Sequence, residues 1–150
     1  MDIAHYRSHS FHKKWMKFGA IVVIGFGPAF LLGSFLPTAE PTRLMMDILG
    51  WTFWGGQSFD APTTRFLSAL AGGFLIGWGV LIWQLATHLH DLAPEVVRKA
   101  VVVSFLCWFV TDSLGSIASG HPSNAGFNAF FLFLCLGPLW WSATSKPVQG

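Results

Sequence analysis

Charge is what this chain has least of. Only 11% of its 150 residues are Asp, Glu, Lys or Arg, against 53% hydrophobic, and the mean hydropathy is +0.53. A water-soluble domain carries about 25% charged residues, so this balance argues against a soluble fold and for lipid as the solvent. The net charge of +2 is too small to imply nucleic acid, and no RNA- or DNA-binding motif is present. Cysteine is nearly absent too. Cys107 and Cys135 both lie in apolar stretches, where packed thiols in contact across the core are expected rather than a disulfide framework or a metal site. No stretch has the composition of a second, soluble domain, and no nucleophile–base pair is recognisable.

What the chain has instead is long apolar runs. A helix needs roughly 20 residues to cross the hydrocarbon core, and four segments qualify: residues 18–36, 65–88, 100–119 and 126–142. Each must be helical, because a lone strand in lipid leaves its backbone groups unsatisfied. The alternation of barrel strands is missing. The expected fold is therefore all-α, an integral membrane bundle of four transmembrane helices forming one domain. Pro28 is expected to kink the first helix. That helix is expected to be retained, since its apolar run exceeds a signal peptide's and Pro37 stands where a peptidase prefers a small residue.

Basic residues set the orientation. With both termini inside, Arg7, Lys13, Lys14, Lys17, Arg98, Lys99 and Lys146 are cytoplasmic, leaving Arg43 and Arg65 outside. Trp15, Trp140 and Trp141 then fall at the inner interface, with Trp51 and Trp54 at the outer one. Trp78 and Trp108 lie deeper and read as packing residues. The loop at residues 37–64 contains a candidate short interfacial helix on the outer leaflet, capped by Thr42 and ended by Gly50. Its apolar face would be Leu44, Met45, Ile48 and Leu49, acting as a plug, a lid or a docking surface.

Within the third run sits Asp112, the one carboxylate deep in an apolar segment. Intramembrane carboxylates are expensive and usually face a bundle interior or a watery cavity. Asp112, Ser116 and Ser119 share a helix face, as do Asn124 and Asn128 on the fourth segment. The second segment presents Arg65 and Ser68 from the same outer side. Together, Asp112, Ser116, Asn124, Asn128, Arg65 and Ser68 are the candidate ligand-binding set. The competing role is structural, with interhelical hydrogen bonds of about 0.6–2 kcal/mol each. Gly73 and Gly77 form a GxxxG, read as packing within the bundle.

Six histidines raise a metal or haem reading. His5, His9 and His12 are spaced for one face, with His88, His90 and Asp91 on the same side. No HxxxH lies within a crossing, and His88 and His121 fall at opposite faces, so no cofactor is implied. The arm from His5 to Lys17 is expected to lie on anionic headgroups.

The topology, with the stretch Arg65-Phe-Leu-Ser-Ala-Leu-Ala-Gly-Gly-Phe-Leu-Ile-Gly-Trp-Gly, resembles the DoxX-like small bacterial membrane proteins. The stretch Trp108-Phe-Val-Thr-Asp-Ser-Leu-Gly-Ser-Ile-Ala-Ser-Gly looks like parts of other small proteobacterial membrane proteins. The resemblance implies a bacterial inner-membrane location and supplies no catalytic residue. The expected function is that of a non-enzymatic accessory or assembly subunit packed against a larger membrane complex. The alternatives are a small carrier or binding protein for a headgroup, quinone or ion at Asp112, and a subunit of a membrane redox enzyme.

Overall fold

A computed structural model of the chain describes residues 3–52 and 58–142, with side chains from residue 9 onward. Trp54 and Lys146, and the side chains of His5 and Arg7, lie outside what is described. Helix α1 spans Ile3–Leu32, followed by a 3-10 turn at Leu36–Thr38 and helix α2 at Glu40–Gly50. Helix α3 spans Pro62–Gln84 and continues through a π-helical turn at Leu85–Leu89. Helices α4 (Pro94–Ala118) and α5 (Pro122–Leu136) follow, and a 3-10 turn at Gly137–Trp140 closes the described chain. No strand occurs among the described residues, and the protein is all-α.

Three of the helices are long and apolar enough to cross a membrane: His9–Leu32, Pro62–Leu89 and Pro94–Ala118. Each of α3, α4 and α5 begins on a proline, whose fixed φ and missing N–H suit the first helical position. Apolarity alone placed these starts later, at 65, 100 and 126. The N-terminal arm also differs from expectation. It carries no helix breaker, so α1 runs unbroken from residue 3 and passes through Pro28.

The last helix departs most from the sequence reading. Its α-helical part stops at Leu136, fifteen residues in, because Gly137 adopts φ +35° and Pro138 cannot donate to the preceding turn. A side chain at Gly137 would meet the Trp15 ring at 2.6 Å. Helix breaks in apolar surroundings leave carbonyls without partners. Here His12 Nε2 donates to the Pro138 carbonyl at 3.1 Å, and Arg98 Nη1 donates to the Leu139 carbonyl.

The helices associate as two antiparallel pairs. In the α1–α3 pair the backbones touch: a Cβ on Gly72 would lie 2.8 Å from the Gly27 carbonyl oxygen, and one on Gly79 would lie 2.9 Å from that of Ala20. Small residues permit such approach. The pair Gly73 and Gly77, expected to pack inside, instead faces open space. One position along the helix is 100° of rotation, and Gly72 rather than Gly73 took the seam. Helix α4 packs along α5, and it meets α3 through side chains, with Trp78 Nε1 donating to Ser104 Oγ at 2.8 Å.

Both pairs share a dry core at the end of the bundle that holds the 3-10 turn at Gly137–Trp140. Met16, Ala20, Ile82, Ala86, Val101, Phe105, Leu136 and Leu139 are buried there. Cys135 joins this core against Gly19, whereas Cys107 faces outward, so the two thiols do not meet. The outer surface is apolar, with Leu67, Leu81, Val96, Val103, Leu114 and Phe133 all exposed.

Candidate functional site

The far half of the bundle is not filled. A cavity of about 540 Å³ lies among α1, α3, α4 and α5, and Met46, Leu49 and Gly50 of α2 form part of its wall. Helix α2 is held in place by two side-chain bonds. Thr42 is buried and does not cap the helix; its hydroxyl donates to the Ala29 carbonyl of α1. At the other end, Ser123 Oγ of α5 donates to the Leu49 carbonyl at 2.8 Å. The face expected to be apolar is divided, with Met45 and Leu49 half-buried and Leu44 and Ile48 exposed. Asp47 is buried and takes an ion pair from Arg43 at 2.6 Å. Arg43 also bonds Glu40, and that guanidinium holds the Glu40 carboxyl below its usual value and is itself raised.

Two chemistries line the cavity. Phe26, Phe30, Trp78, Phe105, Trp108 and Phe131 give it an aromatic wall. Asp112, Ser116, Ser119, His121, Asn124 and Asn128 give it a polar side. Helical periodicity explains both. On α4 the residues 105, 108, 112, 116 and 119 recur at three or four, and on α5 so do 124, 128, 131 and 135, so each helix turns one continuous stripe inward. The Trp78 ring sits 4.8 Å from Phe105 and 6.0 Å from Trp108, centre to centre.

Asp112 is the centre of the polar side. Asn128 Nδ2 donates to its Oδ2 at 2.6 Å and Asn124 Nδ2 to the same oxygen at 3.1 Å. The Asn124 amide is also 2.8 Å from Ser116 Oγ, and Asn128 is 3.2 Å from Ser113 Oγ. Asn128 and Ser113 are buried, while Asp112 and Asn124 are half-buried. Among the described residues nothing bonds Oδ1 of Asp112, and no Lys or Arg reaches its carboxylate.

Four of the six sequence-derived site residues therefore meet: Asp112, Ser116, Asn124 and Asn128. Arg65 and Ser68 do not join them. Arg65 Nη1 donates to the Phe59 and Asp60 carbonyls at 2.8 and 2.7 Å, closing the turn before α3. Ser68 is buried against α1, its hydroxyl donating to the Phe30 carbonyl. The placement follows from α3 packing on α1 rather than on α4. Ser113 and the aromatic wall were missed in the sequence, although Trp108 and Phe105 stand one and two turns below Asp112 on its own helix face.

At the opposite end the arm, from His9 onward, packs against the turn that follows α3. His90 Nε2 donates to the His9 carbonyl at 3.2 Å, their rings lie 4.4 Å apart and tilted by 37°, and Lys13 pairs with Asp91. Burial pushes the His90 imidazole below its ordinary value, and the Lys13 contact holds Asp91 low. No group of three His, Cys, Asp or Glu with metal-binding geometry occurs among the described residues. No family model, curated protein or solved structure matches the chain, so the DoxX-like resemblance carries no activity to these residues.

Proposed function

We propose that this chain is an integral membrane protein that holds a small amphiphile in the cavity around Asp112. The observation that carries the reading is the cavity itself. Its volume falls within the roughly 300–1,000 Å³ of ligand pockets, which are mostly apolar with a few convergent polar groups. Packing alone explains Asn128, but it gives no reason for a bundle to leave an aromatic chamber open beside a carboxylate.

In this reading α1, α3 and α4 span the bilayer, and α5 completes a fourth crossing. The fifteen residues of α5 rise about 22 Å, and the four-residue 3-10 turn adds about 8 Å. The sum matches a hydrocarbon core of about 30 Å. Lys13, Lys14, Lys17, Arg98 and Lys99 lie toward the end with the dry core, which supports an orientation with that end and both termini in the cytoplasm of a bacterial inner membrane. The cavity then opens in the outer half.

Native mass spectrometry of the protein extracted in mild detergent tests the proposal. A bound small molecule is expected on the wild type and absent from the cavity-filling variant Ala71→Phe. Wild-type protein free of any adduct contradicts it. A second reading, an accessory subunit of a larger complex, draws on Gly73 and Gly77. They stand open on the outer face of α3 beside the exposed Phe74, a surface a partner helix can approach closely. Copurified protein lost in Gly73→Leu supports that reading; a lone chain counts against it.

A further inference from the structure

Resting on the cavity reading, we infer that the ligand is an organic cation with a bulky apolar body. The polar side of the chamber holds the Asp112 carboxylate and, among the described residues, no Lys or Arg; His121, also on that side, has its Nδ1 3.1 Å from the Ser119 carbonyl. Both asparagine amides bond the same oxygen, Oδ2 of Asp112, so Oδ1 remains unbonded by any described residue in a cavity wall. Five described cations elsewhere are committed. Arg43 is held by Glu40 and Asp47, and Arg65 by two backbone carbonyls. Arg98 is held by Glu95, Lys13 by Asp91, and Lys17 lies over the Trp83 ring.

A carboxylate away from water is costly unless a partner supplies opposite charge. An anionic guest would worsen that cost, and a neutral donor would offset it only in part. A cation relieves it. The aromatic wall favours the same guest a second time, because Trp and Phe faces attract cations within about 6 Å of the ring centre. Trp108, one helical turn from Asp112, lines the same chamber on the carboxylate's own helix. The remaining aromatics, Phe26, Phe30 and Phe131, suit the apolar body.

The test uses the full chain in mild detergent with two probes of one shape and opposite charge, tetraphenylphosphonium and tetraphenylborate, followed by equilibrium dialysis. The expected result is one saturable site that binds the phosphonium at least tenfold tighter than the borate. Asp112→Asn is expected to weaken phosphonium binding at least tenfold. Should that variant fail to fold, the wild-type preference between the two ions decides alone. Equal binding of both ions overturns the inference. So does failure of the phosphonium to bind while the adduct sensitive to Ala71→Phe persists, and in that case the cavity reading survives. Loss of both signals overturns the two together.

Discussion

Arg98 and His12 show how single side chains make a broken helix tolerable in an apolar setting. The Gly137–Pro138 break exposes carbonyl oxygens, and these two donors cover them. Replacing Arg98 with Met leaves the Leu139 carbonyl and Glu95 without this donor. The expected cost is about 1–3 kcal/mol, the usual penalty for an orphaned buried polar group, read as a lower unfolding midpoint in detergent. His90 sets a pH dependence at the same end. Its imidazole is held below its ordinary value of 6.5 by burial, so the folded form favours the neutral ring. Below pH 6.5 the unfolded chain binds the extra proton, and stability falls as pH drops through that value. Thermal unfolding at pH 8 and pH 5.5 checks this. The wild type should lose stability on acidification, and His90→Gln should lose less; identical losses would remove His90 from the account.

Among the elements, the α1–α3 seam makes the sharpest distinction. Gly72→Leu should prevent the native pairing, since even a Cβ collides with the Gly27 carbonyl, whereas Gly73→Leu meets open space and should leave the unfolding midpoint nearly unchanged. Equal damage from both would mean that the seam is wrongly placed. The same seam marks the limit of what residue order conveys. Long apolar runs made α1, α3 and α4 legible, because hydropathy over twenty residues is a cumulative signal. Which glycine faces inward is not cumulative; it depends on which helix packs beside α3. That partner is α1, and so Arg65 and Ser68 turn away from Asp112. Asp112, Ser116, Asn124 and Asn128 were legible because one short turn joins their helices and fixes the register. Prolines 62, 94 and 122 announced the helix starts more accurately than apolarity did. The aromatic wall was not legible, because Trp78 and Phe26 reach it from helices whose rotation only packing decides.

The molecule as a whole joins a dry half to an open one, with the described charged residues other than Asp112 toward the ends and apolar side chains around the girth. In a background lacking Cys107 and Cys135, Ser58→Cys and Lys99→Cys should react with a membrane-impermeant maleimide from opposite compartments. Reaction of both from one side would contradict the orientation. The open half is the central claim, and photolabelling tests it most directly. A diazirine-bearing triphenylphosphonium should attach to peptides containing Trp78, Trp108 or Phe131, and excess tetraphenylphosphonium should displace it. Label spread over outward residues such as Phe66 and Phe133, undiminished by competitor, would contradict it.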